Sequence, residues 1–311
     1  MIRLQEWIYR LEVGQGVRVV RWVLAILALL TLTAVYDWRE YRNFSTAEAM
    51  DVAQLARNIA EGEGYTTRFI RPLSIHLVEQ RQMELNQRTN DLALLLSGHP
   101  DLANPPVYPV LLAGLIKVLP LDWEIPRGVP FSRYPPEVVI GFFNQALFFV
   151  AIFLAFRLAG RLFDSSVAWI TTLVLAGSDL FWRFSVSGLS TMLLALLYLG
   201  LVWCLVFMEE ASRQSRRRGA WFAAMAWLAG ALVGLGALTR YSFGWLILPV
   251  LVFFAFHFGQ RRVVLCLAAM VAFAGVLAPW LARNYQCSGT LFGSAGYSVV
   301  EDTPPLPMDR L

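Results

Sequence analysis

Lysine is almost missing from this chain. Lys117 is the only one, and arginine carries the rest of the basic charge. That argues against chemistry through a lysine Schiff base. Cysteine is limited to Cys204, Cys266 and Cys287, two of them inside apolar blocks, so neither a disulfide framework nor metal-ligand spacing is present. The histidines, His76, His99 and His257, are scattered. Charge is scarce as well, at 15% of residues, where a soluble domain carries roughly 25%. Apolar residues take its place. They make up 57% of the chain, mean hydropathy is +0.54, and they fall in blocks close to the roughly 20 residues that cross a bilayer core. A core helix of a soluble protein keeps a polar face, and these blocks keep none. The composition predicts an all-α polytopic membrane protein. The net charge of +4 says little about partners, because arginine in such a chain follows topology, and nothing points to nucleic acid.

The blocks predict seven spans, at residues 17–36, 138–158, 167–181, 189–208, 220–238, 243–258 and 263–282, the third and sixth being short. The first is preceded by polar and basic residues and followed by no small-residue cleavage site, so it reads as a retained anchor. Ile2, Trp7, Ile8 and Leu11 suggest a short surface helix before it. With the N-terminus cytoplasmic, Arg157, Arg161, Arg213, Arg216, Arg217, Arg218, Arg261 and Arg262 all lie inside, and the short outer connections keep only Arg183 and Arg240. The positive-inside bias therefore places the N-terminus in and the C-terminus out, and long loops translocate whatever their charge. Residues 107–119 are apolar but reach only about 20 Å as a helix, short of the roughly 30 Å needed. They are expected to form an interfacial helix. The resulting organisation is 1–36 (N-terminus and first span), 37–137 (outer loop), 138–282 (six-helix bundle) and 283–311 (outer tail).

The outer loop is the only polar region large enough for a site. Ser45 or Thr46 can cap a helix running to about Glu61, stopped by Gly62 and Gly64, with Glu48 in its first turn where a carboxylate suits the helix dipole. Ala49, Ala53, Ala56 and Ala60 share one face. Glu48 and Asp51, three residues apart, are expected to project from one side. Such a pair is a candidate general base or cation site, weighed against a capping acid beside a solvated acid. Residues 76–96 read as an amphipathic helix lying on the membrane face or on this first loop helix. In the run HPDLANPPVYPVLL, which contains His99, Asn104 and Tyr108, the Pro105–Pro106 pair sets an extended entry into the interfacial helix. Asp122 and Glu124 are too weak a pair to imply a metal. Arg240, in a short connection at the edge of the hydrocarbon, either snorkels to the headgroups or faces a cavity, and its fork matches phosphate. Arg283 is similarly placed. The two suggest an anionic headgroup such as a lipid-linked phosphate.

Four motifs, in order over residues 18–293, are similar to the GT-C superfamily of membrane glycosyltransferases. The nearest likeness is to its protein O-mannosyltransferase and aminoarabinose transferase-like branches. The motifs are EAMDVAQLARNIAEGEGY, NPPVYPVLL, GLGALTRYSFGWLILP and PWLARNYQCSGTLFG. The resemblance implies transfer of a sugar from a polyprenyl-phosphate donor to a lipid, glycan or protein acceptor on the non-cytoplasmic face of the inner membrane, with no cofactor and a divalent cation left open. It puts Glu48 at the position of the family's acid, with Asp51 as second candidate, and Arg240 and Arg283 on the donor phosphate. His99, Asn104 and Tyr108 fall in the acceptor loop. The chain departs from the family in carrying Ala49 after the first acid, Asn104 where Lys or His often precedes the proline pair, and Ser190 and Thr191 where a second acid is common. A transporter or flippase is the competing class, disfavoured by the near absence of ionisable residues within the spans. A third reading is a truncated, non-catalytic relative, since proteins of this kind continue with further spans or a soluble domain.

The topology has a direct check. A cysteine replacing Glu63 should react with a membrane-impermeant maleimide on intact cells, and one replacing Arg217 only after permeabilisation; the opposite pattern inverts the assignment.

Overall fold

The computed structural model describes residues 15–41, 43–85, 98–119, 121, 123, 133–214 and 219–296. The expected surface helix at 2–12, the Asp122/Glu124 pair, the Arg216–Arg218 run, residues 86–97 and the tail from 297 lie outside those residues. Within them the chain is helical: α1 (Gln15–Arg39), α2 (Ala47–Glu61), α3 (Pro72–Glu84), α4 (Val107–Val118), α5 (Pro135–Leu162), α6 (Ser165–Gly177), α7 (Asp179–Val186), α8 (Thr191–Arg213), α9 (Gly219–Ala237), α10 (Ile247–His257) and α11 (Arg262–Ser288). A 3-10 turn, Tyr241–Leu246, leads into α10. The all-α polytopic class is as expected.

Five of the seven expected spans are long enough and apolar enough to cross a membrane: α1, α5, α8, α9 and α11. The other two take different forms. The third is broken. Helix α6 stops at Ser178, and α7 starts at once and runs on to Val186. Both pack on α5. Ala168 lies near Gly160 late in α5, and Trp182 packs edge-on against Phe148 nearer its start. Together the two pieces return along the length of α5, so the element ends later than residue 181. The sixth is short in residues, at Tyr241–His257. Its 3-10 start rises faster per residue, and the whole reaches about 28 Å, close to the hydrocarbon thickness. Helix α4 spans only 12 residues, roughly 18 Å, and packs on α2.

Helices α8 to α11 share one core, with Met208, Phe222, Val233, Phe254 and Leu265 buried in it. Lipid tails are as apolar as these side chains, so close backbone approach rather than escape from water holds such helices together. Helix α9 supplies it. A Cβ on Gly230 would sit 2.1 Å from the Ala269 carbonyl oxygen of α11, and one on Gly234 would sit 2.9 Å from the Val276 Cβ. A second core joins loop to bundle: Phe44, Ala49 and Ala56 of the α2 region, Tyr108 and Leu112 of α4, Ile140 of α5 and Leu193 of α8.

Gly230→Val should cost about 1–3 kcal/mol by overpacking, read as a lower melting temperature in detergent. Gly275→Ala, where a Cβ meets nothing within 4 Å, should leave it unchanged.

Candidate functional site

Helix α2 forms as its sequence dictates. The Thr46 side chain accepts from the Ala49 N–H, and Gly62 closes the helix by bonding to the Asn58 and Ile59 carbonyls. Its alanine face is buried, Ala49 and Ala56 almost completely. The chain leading into it is strapped to the start of α5: the Asn43 side chain accepts from Tyr134 N–H (2.8 Å) and Glu137 accepts from Phe44 N–H (2.6 Å). Phe44 then lies flat on Gly188, where φ is +74° and a Cβ would fall 2.4 Å from the ring. Only glycine satisfies both conditions. Tyr108, buried in α4, donates to the Gly188 carbonyl (2.9 Å) and bonds the Asn144 amide of α5 (2.8 Å). The first turn of α2 is therefore fixed beside the start of α8, the place where Ser190 and Thr191 stand.

Glu48 and Asp51 part company here. Glu48 is exposed. Asp51 is 2% exposed and fully engaged. It accepts from Thr67 Oγ1 (3.1 Å) and Asn104 Nδ2 (2.9 Å), and it pairs with Arg71 (3.0 Å). The two acids differ in burial: a three-residue step leaves them at the two edges of one stripe, and α2 buries the Asp51 edge against the rest of the loop.

Asn104 Nδ2 also donates to Asp101 Oδ2 (2.9 Å), whose Oδ1 accepts from the Ala103 and Asn104 N–H groups. One amide thus bridges two buried carboxylates. Burial pushes the Asp101 carboxyl above its ordinary range, and the nearby Asp51 charge adds to that against the bonds from residues 103 and 104. The short pairing of Thr67 N–H to the His99 carbonyl (2.9 Å) and Asp101 N–H to the Tyr65 carbonyl (3.2 Å) closes the knot. His99 is buried within it. Tyr65 donates to the Asn104 carbonyl (2.9 Å).

Arg283 ties this knot to the bundle. It donates to the Asp101 carbonyl and to the Tyr65 carbonyl (3.2 Å), with its guanidinium over the Tyr65 and Trp280 rings at 5.2 and 4.9 Å. Arg240 is exposed, in the connection whose Leu238 carbonyl accepts from Val107 N–H at the start of α4 (3.0 Å). Helix α3 begins at Pro72, earlier than expected, and packs on the C-terminal end of α11 rather than on α2. Arg81 stacks there over Tyr285 at 5.1 Å. The structure brings Asp51, His99, Asn104 and Arg283 together around Asp101. Tyr108 sits in the neighbouring contact with Gly188, and Glu48 and Arg240 lie on the surface. Among the described residues no cluster of three or more His, Cys, Asp or Glu could hold a metal.

Sequence reasoning passed over Asp101, Tyr65, Thr67, Arg71 and Asn144. Two of them carried a signal. Asp101, three residues before Asn104 and just ahead of two prolines, has the pattern of an Asx-type turn. Asn144 and Gln145 are amides inside an apolar span, and polar groups at such positions need partners.

Asn104→Ala leaves both buried carboxylates without their shared donor. It should cost about 2–4 kcal/mol, measured as a fall in thermal stability and faster proteolysis of the 62–106 segment.

Neither curated proteins nor solved structures gave a match to this chain. The family model for dolichyl-phosphate-mannose-protein mannosyltransferase matches residues 134–282. That stretch runs from the start of α5 into α11, and so contains Arg240 but neither the acids of the loop nor Arg283. The match over the bundle, together with its apolar spans, supports reading this chain as a membrane glycosyltransferase of the GT-C type.

Proposed function

We propose that the protein transfers a sugar from a polyprenyl-phosphate donor to a lipid, glycan or protein acceptor on the non-cytoplasmic face, with its N-terminus cytoplasmic and its C-terminus outside. Glu48 is the catalytic acid–base group. The observation that carries this reading is the position of Glu48: an exposed carboxylate on the first turn of a helix that is locked to the end of the matched bundle where α5 and α8 begin. A base must reach the acceptor proton in a fixed geometry, and Glu48 combines access with a rigid mount.

The reaction is a single displacement. The acceptor oxygen or nitrogen attacks the anomeric carbon, the carbon–oxygen bond to the lipid phosphate breaks, and the acceptor proton passes to Glu48. Negative charge develops on the departing phosphate, where Arg240 stabilises it. Arg283 adds positive potential while holding the Asp101 and Tyr65 carbonyls. Asp51 acts through position, fixing α2 against the Asn104 turn, and His99, Asn104 and Tyr108 shape the acceptor side of the loop.

Glu48→Gln should lower sugar transfer by about 10²–10⁴-fold with an unchanged melting temperature, assayed in membranes with a radiolabelled polyprenyl-phosphate sugar. Arg240→Gln should lower kcat more than it raises KM for the donor. Full transfer by Glu48→Gln removes this carboxylate from the mechanism.

A further inference from the structure

Helix α1 is the least embedded of the five long apolar helices. Among the described residues no other element packs along it, and none of its most apolar stretch is buried. It touches the bundle near its two ends and, between them, through Leu29. At one end Trp22 meets Phe156 (5.0 Å between ring centres) and Trp169 (5.8 Å). At the other Tyr36 meets Trp182 (5.4 Å), and Gln145 donates to Asp37 Oδ1 (2.6 Å). Beside these contacts α1 presents Ala25, Ala28 and Leu32 across a cleft from Ile152, Leu173 and Ala176 of α5 and α6. The cleft holds about 690 Å³.

Its dimensions select the occupant. From Trp22 to Leu32 the cleft follows α1 for roughly 15 Å, which is half the hydrocarbon thickness and so the depth of one leaflet. Its walls are almost wholly apolar, which suits a lipid acyl chain. At the Trp22 end it adjoins a second cavity of about 490 Å³ lined by Arg21, Leu24, Ala25 and Trp169. Arg21 is exposed and forms no ion pair among the described residues. Its planar fork matches phosphate oxygens.

We propose that this cleft is a lipid site. One acyl chain of an anionic glycerophospholipid from the Arg21 side of the membrane lies between α1 and the α5–α6 pair, with its phosphate against Arg21. The chain completes the packing that α1 lacks and sets the angle at which α1 delivers the segment entering α2. The site is separate from the proposed transfer chemistry and does not depend on it.

Native mass spectrometry of the purified full chain, supplied with phosphatidylglycerol or phosphatidylcholine of identical acyl chains, tests this. Wild type should retain one phosphatidylglycerol through detergent exchange. Ala28→Phe and Ala176→Phe, which fill the cleft from opposite walls, should each reduce retention by about tenfold or more without lowering the melting temperature. Arg21→Gln should reduce the preference for phosphatidylglycerol about fivefold. Retention equal in wild type and both filled variants means annular lipid only and overturns the site, as does failure of wild type to hold any. Efficient disulfide-linked dimers of Ala28→Cys would assign the cleft to a second copy instead. A photoactivatable phosphatidylglycerol on wild type keeps the test independent of variant folding: label confined to α1, α5 and α6 supports the site, and label spread over all spans defeats it.

Discussion

The loop region between α1 and α5 depends on one shared donor. The Asn104 amide stands between the Asp51 and Asp101 carboxylates, both almost wholly buried. Two carboxylates in a poorly solvated site repel each other and lose their hydration, so the arrangement holds only while donors replace that water. Asn104 supplies one amide to both. Arg71 and Thr67 complete the shell of Asp51, and backbone N–H groups complete that of Asp101. This knot fixes helix α2 against the turn that leads into Pro105 and Pro106, and therefore against α4.

The bundle is joined to that knot through few but well-placed contacts. Arg283 leaves the C-terminal end of α11 and bonds carbonyls of two loop segments. Gly188, at the end of the broken third span, receives Phe44 on one side and the Tyr108 hydroxyl on the other. The break at Ser178 follows from the same need. The returning chain has to cover α5 and still bring residue 188 to the loop. A charged network at the membrane surface thus rests on a bundle whose own cohesion is steric, through Gly230 and Gly234.

The two loop acids illustrate how burial divides labour. Asp51 is buried with both oxygens bonded within the loop, while Glu48, one turn earlier, is exposed on the same rigid helix. In the proposed transfer one carboxylate holds the scaffold and the other meets substrate. Arg283 and Arg240 divide in the same manner: the first spends its donors on backbone carbonyls and ring faces, the second stays at the surface.

Much of the fold could be read from residues alone, because its signals are local or compositional. Apolar runs marked the spans, Thr46 and Gly62 bounded α2, and the length of 107–119 kept that helix out of the span count. The motif order pointed to the GT-C likeness that the match over 134–282 supports. The break between α6 and α7, the 3-10 start of the sixth span and the docking of α3 on α11 were not legible, since packing against distant helices decides them. The candidate site was legible only as residue types. A three-residue spacing put Glu48 and Asp51 near each other but could not say which would be buried. That was decided by Thr67, Arg71 and Asn104, between 16 and 53 residues away along the chain, because a hydrogen-bonded shell around a buried charge exists only once separated segments have met.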